Sequence, residues 1–314
     1  MSLLLALGIG QGRGGALLAG ILCLVACRSS GTEAQPAPDT GGAPLRRTYV
    51  AGEQLGYVMT ASNRNRESTR HYTAECQGRV VQTDDGTFYE EFRWIRLEVD
   101  GQEIALDDAS RSFVQRLSLD PDYELGAPDI RGVNPMLIGP IFDLMTFYVD
   151  THPSLHQGRL ARRGDRMYVA HGQPNSWADG TRVLVGEDCI DFELTLADVG
   201  PESAQLLVRH VPPRESSIHL PAAWMREPVG DGPNNWVQIV KDASSAQPAY
   251  IAAVGRETFD VRITLERPAG RMVAATMDNP VDVLQRRCAD AELLDCGEPV
   301  QYRIQRIIEL RAQP

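Results

Sequence analysis

The sequence predicts a mainly β protein whose large antiparallel curved sheet forms a half-barrel or a sandwich. Apolar and polar residues alternate with period two through much of the chain after Tyr49, which is typical of strands with one buried face. Turn residues such as Asp100-Gly101 separate these segments, so that consecutive strands pair as hairpins. The pattern predicts ten to thirteen strands, and no shift in composition divides the chain after residue 48 into two domains.

The first hairpin shows this pattern in detail. Residues 71–82 alternate, and the chain then turns at Asp84-Asp85-Gly86. On the returning strand, Phe88, Phe92 and Trp94 lie in one register, whereas Ile95 and Leu97 follow the opposite register. A strand that changes register in this way contains an extra residue, so a β-bulge is predicted near Arg93.

One helix is predicted near residues 140–150, with Pro140 at its first position. Its polar residues fall on a single narrow stripe, and a helix this apolar is covered by protein. Five of its side chains either complete the core or line a cavity for an apolar ligand: Ile141, Phe142, Met145, Phe147 and Tyr148. A second, short helix is predicted near residues 280–288.

The amino terminus contains a targeting segment. The apolar run at residues 14–26 is shorter than the roughly 20 residues that a membrane-spanning helix needs. It ends in Leu24-Val25-Ala26-Cys27, which resembles the lipobox of bacterial lipoproteins. The resemblance implies cleavage before Cys27, a diacylglyceryl group on its sulfur, and an acyl chain such as palmitate on the new amino terminus. An uncleaved anchor is the alternative.

The organisation that follows from this resemblance has three parts: a signal peptide at 1–27, a disordered tether at 28–47, and one β-rich domain at 48–314. The tether is predicted because residues 28–47 are rich in Pro, Gly, Ser and Thr and offer little to bury. Arg28 follows the lipidated position, and its similarity to the enterobacterial sorting rule implies an outer-membrane location. We therefore expect a lipid-anchored protein of the cell envelope.

Charge and motifs narrow the possible functions. The net charge is −11, which argues against nucleic acid as a partner because such binding needs a basic surface. The sequence lacks the G-x-S-x-G and H-E-x-x-H motifs, and its one lysine, Lys241, does not lie in a phosphate-binding loop. An enzyme is therefore less expected than a binding protein, and no cofactor or metal is predicted.

Four cysteines follow Cys27 in the chain. Their even number in an exported protein favours two disulfides over a zinc site. Cys288 and Cys296 lie eight residues apart and are predicted to pair. Cys76 would then pair with Cys189. No C-x-x-C motif is present to support zinc.

The stretch 171–188 is the most site-like part of the sequence. It is predicted as one irregular loop, and its weak catalytic candidates are His171 and Asp188. Asn175 and Trp177 within it are echoed by Asn234 and Trp236, either as stacking platforms for a sugar or as turn residues before an anchoring Trp.

The nearby pair His152 and His156 has a metal-like spacing. Pro153 is expected to push His152 into an extended conformation, so that the two imidazoles do not share a helical face.

Three functions remain open. The first is a non-enzymatic module that binds an apolar ligand or an envelope partner, similar in architecture alone to the half-barrel lipoprotein carriers of the bacterial periplasm. The second is an envelope hydrolase or carbohydrate-active enzyme that uses the 171–188 loop. The third is a structural or assembly lipoprotein, which would bind a membrane protein and no small ligand.

Overall fold

The computed structural model describes most of the chain after the predicted tether. Its described residues are 44–120, 123, 125–126, 128–156, 158–169, 175–178, 183–187, 191–211, 218, 220–242 and 249–313, with backbone alone at 156, 175–178 and 183–187. The predicted signal peptide, Cys27 and most of the tether therefore lie outside this part of the chain.

Fifteen strands, two α-helices and one 3₁₀ turn make up the described fold. The strands are β1 Gln54–Arg64, β2 Thr69–Gln82, β3 Phe88–Val99, β4 Gln102–Glu103, β5 Gln115–Leu117, β6 Arg166–Val169, β7 Asn175–Ala178, β8 Val183–Glu187, β9 Asp191–Val199, β10 Ser203–Val211, β11 Trp236–Lys241, β12 Tyr250–Glu257, β13 Asp260–Glu266, β14 Met272–Cys288 and β15 Val300–Ala312. The helices are α1 Asp108–Ser112 and α2 Pro135–His156, and the 3₁₀ turn is Ala223–Arg226.

All fifteen strands belong to one sheet, and every pairing between them is antiparallel. The order along the main path is β4-β3-β2-β1-β15-β14-β12-β11-β8-β7, while β13, β10, β9 and β6 continue from the first half of β14. The prediction of a large antiparallel sheet is confirmed.

Strand β14 pairs with two successive strands along one side. Its second half pairs with β12, and its first half pairs with β13. These two partners follow one another in the chain and are separated only by Thr258 and Phe259. The sheet therefore branches at this break. The β13 branch packs into the larger hydrophobic core, and the β12 branch packs into a smaller core on one face and a five-residue cluster around Trp236 on the other.

The helix predicted near residues 280–288 is wrong, because this segment is the second half of β14. The Pro280 carbonyl accepts a hydrogen bond from the Thr258 amide at 3.1 Å. The backbone nitrogen and carbonyl of a strand residue point to the same side, so the nitrogen of Pro280 faces the break between β12 and β13. Proline has no N–H to donate, and it is tolerated there because the neighbouring strand is interrupted and offers no regular acceptor opposite its nitrogen.

The first hairpin agrees with its predicted pattern. The register of β2 and β3 shifts between Glu75 and Cys76, so that Ile95 is the extra residue on β3. The predicted bulge is confirmed two residues from Arg93. It turns Ile95 outward, where 47% of its surface is exposed, and keeps Trp94 buried.

The larger core lies between the sheet and α2. It joins buried residues of β1–β3 to residues of β6, β9, β10 and β13, although these strands lie far apart in the sheet order. A sheet can bring such distant strands into one core only by curving around what lies between them, and α2 occupies that position. The smaller core packs the 3₁₀ turn region and the Leu293 loop against β11, β12 and β14.

Helix α2 is longer than predicted and contains the predicted segment. Pro135 opens it, and the Asn134 side chain accepts a hydrogen bond from the Met136 amide at 3.0 Å. The helix continues through Pro153 to His156, so the expectation that Pro153 would place His152 outside a helix is wrong.

The last residues of the predicted tether are docked onto the body. Leu45 is 3% exposed within the larger core, and its amide donates to the Leu160 carbonyl at 3.0 Å. The Thr48 amide donates to the Ala269 carbonyl at 2.8 Å. The folded body therefore begins at least three residues before the predicted boundary at residue 48.

The predicted disulfide between Cys288 and Cys296 is present, and it closes the loop that follows β14. Cys76 is a free thiol buried on β2, and burial raises its pKa to about 12. Its predicted partner, Cys189, lies outside the described residues. Neither described helix is long and apolar enough to cross a membrane.

Candidate functional site

Helix α2 and the inner face of the sheet form the candidate site. The five side chains predicted to complete the core or line a cavity are each at most 3% exposed and belong to the larger core: Ile141, Phe142, Met145, Phe147 and Tyr148. These residues lie on several sides of the helix, and the other described side chains of α2 after Met136 are buried or half-buried, so protein covers most of the helix. The inner face of the sheet is consequently occupied by the chain's own helix.

A first polar cluster joins the middle of α2 to the sheet. Asp143 forms an ion pair with Arg306 of β15 and accepts a hydrogen bond from the Tyr72 hydroxyl of β2. Burial raises the pKa of Tyr72 and lowers that of Arg306 to about 10. At neutral pH, Arg306 therefore keeps its charge and Tyr72 keeps its proton, which suits both as partners of a carboxylate.

A second polar cluster lies farther along the helix. The Tyr148 hydroxyl donates to Glu90 of β3, and Arg47 donates to the same carboxylate at 3.1 and 3.2 Å. Arg47 also pairs with Glu53 at 2.9 Å and stacks over the Tyr49 ring. Burial opposes the charge on Arg47, but Glu90 and Glu53 more than offset it and raise the pKa of Arg47.

Asp150, two helical turns after Asp143, lacks such partners. Its side chain is 1% exposed, and neither carboxylate oxygen has a hydrogen-bond partner in the described part of the chain. The helix hydroxyls of Thr146 and Thr151 differ, because each donates to the carbonyl four residues earlier. Burial raises the pKa of Asp150 to about 7.

The predicted 171–188 loop contains regular structure. Asn175–Ala178 and Val183–Glu187 form the hairpin β7–β8, so the expectation of one irregular loop is wrong. Strand β8 also pairs with β11. The catalytic candidates His171 and Asp188 both lie outside the described residues, and the hydrolase hypothesis stays a prediction.

The similar residues before β11, Asn234 and Trp236, have a structural role. Asn234 accepts from the Val229 amide and donates to the carbonyls of Met225 and Glu227, at 2.8–3.0 Å. Trp236 begins β11 and is 2% exposed. Asn234 and Trp236 therefore hold a turn and anchor a strand, as the second of the two interpretations predicted.

The predicted site residues do not include Arg47, Glu90 or Arg306, although two of these carry a signal in the sequence. Glu90 lies in the same register as the buried Phe92, and Arg306 lies in the same register as the buried Ile308. A charged residue at an inward position of a strand needs a buried partner. The stripe of Asp143 and Asp150 on an apolar helix carries the same signal.

No group of three or more potential metal ligands occurs among the described side chains. No family model matches the chain. No curated protein matches its sequence. The arrangement itself can hold an apolar helix against a curved sheet through two buried polar clusters.

Proposed function

We propose that the protein is a lipid-anchored binding protein of the cell envelope, which holds an apolar ligand such as an acyl chain on the inner face of its sheet. The observation that carries the proposal is the position of α2. A largely apolar helix fills the concavity of the sheet, and a ligand with an acyl chain would replace its apolar contacts when the helix swings out.

The way in which α2 is held supports this exchange. Three of its polar contacts to the described sheet come from Asp143, Tyr148 and the Ile141 carbonyl, which accepts from Gln115 at 2.8 Å. Its apolar side chains pack in the larger core, and an acyl chain can supply such contacts equally well because hydrophobic burial is non-directional.

Asp150 supports the exchange energetically. A buried carboxylate without hydrogen bonds costs free energy, and leaving the core would return it to water. The seated helix is therefore less stable than its apolar contacts alone would make it, which lowers the free energy needed for α2 to leave the sheet.

The chain from Arg28, purified from a bacterial periplasm without detergent, tests the proposal. Mass spectrometry of extracted lipids should find a stoichiometric acyl-containing ligand, and the delipidated chain should bind a fluorescent fatty acid. The tested chain begins at Arg28 because Leu45 and Arg47 are buried and a shorter chain would damage the core.

Two substitutions in α2 make the test specific. Asp150→Leu removes the buried carboxylate, so it should stabilise the seated helix and weaken fatty-acid binding. Asp143→Asn breaks the ion pair with Arg306, so it should loosen the helix and strengthen binding. An empty protein that binds no fatty acid, with neither substitution changing this, would show that α2 only completes the core, and the partner-binding and assembly functions would take precedence.

The membrane anchor has its own test. Cells given radioactive palmitate should label the full chain, whereas Cys27→Ser should abolish labelling and release the protein from the outer-membrane fraction. Labelling that persists in Cys27→Ser would overturn lipidation at this residue. The substitution of Cys23 within the signal is the matched control and should leave labelling unchanged.

A further inference from the structure

Arginines are concentrated at the end of the fold where the tether enters. Three segments there, 44–48, 158–164 and 267–271, contain seven arginines and no acidic residue. The whole protein has a net charge of −11, so this end differs sharply from the rest. We define these three segments as the basic end.

Backbone contacts hold the three segments together. The Leu45 amide donates to the Leu160 carbonyl, and the Thr48 amide donates to the Ala269 carbonyl. Gly270 lies directly against the backbone of Arg46. The basic end is therefore one continuous surface, formed by the tether entry, the loop after α2 and the turn between β13 and β14.

Five of its arginines form no ion pair with a carboxylate of the described residues: Arg46, Arg159, Arg162, Arg163 and Arg267. Two nearby acids already have partners, and a third, Glu202, lies beside Arg267, whose amide donates to the Glu202 carbonyl at 2.7 Å. The Asp165 carboxylate accepts from the Ala161 and Arg162 amides at 2.7–2.8 Å, and Glu266 pairs with Arg271 at 2.8 Å. These five arginines outnumber the two flanking acids that pair with no described arginine, Asp165 and Glu202, so this end keeps a net positive charge.

We infer that the basic end docks on the anionic headgroups of the membrane that carries the Cys27 lipid. This inference rests on the proposed anchor. Only sixteen residues separate Cys27 from Pro44, which limits the distance from the membrane to about 55 Å. Arginines near an anionic surface each strengthen binding, and Val50, 63% exposed at the same end, adds apolar surface.

The orientation follows from the strands. Strand β14 begins at the basic end and runs 17 residues to Cys288. The smaller core and the disulfide therefore face away from the membrane, together with the turn between β1 and β2.

Vesicle binding by the chain from Arg28, which carries no lipid, tests the inference. It should sediment with phosphatidylcholine vesicles that contain phosphatidylglycerol, should not sediment with pure phosphatidylcholine, and should dissociate as salt rises. The triple substitution Arg159→Gln, Arg162→Gln and Arg163→Gln should weaken binding about a hundredfold, because each arginine near the surface strengthens binding roughly fivefold.

The matched control is Arg64→Gln, Arg66→Gln and Arg70→Gln. These exposed arginines lie at the opposite end of the β1–β2 hairpin, form no ion pair with described residues, and change the net charge equally. The control triple should change vesicle binding less than threefold, because these arginines lie far from the membrane, where its surface potential has fallen off. Equal losses in the two triples, or no binding to anionic vesicles, would overturn the inference. Because this chain is unlipidated, palmitate labelling at Cys27 would still stand in that case.

Discussion

Asp143 of helix α2 and Arg306 of strand β15 form an ion pair inside the protein, with 1% and 7% of their side chains exposed. They are 163 positions apart in the sequence and join the helix to the centre of the sheet. Two charges removed from water stabilise a fold only while both are present.

The ion pair should therefore show strong coupling. Asp143→Leu or Arg306→Met alone should lower the free energy of unfolding by about 3–5 kcal/mol, because each leaves a buried charge without its partner. The double substitution should cost much less than the sum, since it replaces the pair by apolar groups. Urea denaturation of the four proteins measures the coupling, and additive losses would contradict it.

Asp150 should make stability fall as pH rises. Its folded pKa is raised from 3.8 to about 7, so the folded state holds the proton that the unfolded state loses between these values. Its contribution is complete below pH 4 and lost by about pH 7, a change of about 4 kcal/mol. Asp150→Asn should therefore be more stable than the wild type at pH 8, with little difference at pH 4. A constant difference across this range would refute the prediction.

His210 should have the opposite effect. It is 7% exposed, neither ring nitrogen has a hydrogen-bond partner among the described residues, and burial lowers its pKa from 6.5 to about 2. Below pH 6.5 the unfolded state therefore binds a proton at His210 that the folded state does not bind. His210→Phe should keep the ring contact with Phe259 and gain about 2 kcal/mol relative to the wild type between pH 7 and pH 5. Thermal unfolding at both pH values measures this difference.

Gly270 should be required for docking of the tether entry. Its φ is +68°, and an added Cβ would collide with the Arg46 carbonyl oxygen. Gly270→Ala should therefore displace residues 44–47 and speed trypsin cleavage after Arg47, which amino-terminal mass analysis detects. Gly101→Ala is the control, because Gly101 has a φ of +78° with no atom within 4 Å of an added Cβ. Equally fast cleavage of both variants would show that backbone strain at a positive φ causes the effect, and that contact with Arg46 does not.

Features that depend on neighbouring residues were predictable from the sequence. The hairpins, the bulge beside Trp94 and the Cys288–Cys296 disulfide all follow from local patterns. The strand at 280–288 was not predictable in this way. Pro280 is tolerated in β14 because it lies beside the break between β12 and β13, and the β13–β14 turn brings that break next to it. The partners of Asp143 and Glu90 were equally inaccessible, since curvature of the whole sheet brings them to α2.

The continuity of β14 across both cores also decides how the protein would bear a mechanical load. Twelve residue pairs join β14 to β15, and they extend from the larger core into the smaller one. A pull between the amino-terminal tether and the far end runs along these strands, so their hydrogen bonds are loaded together in shear instead of opening one after another. A partner held at the far end would therefore transmit force to the tether through the whole body, without first separating its two halves.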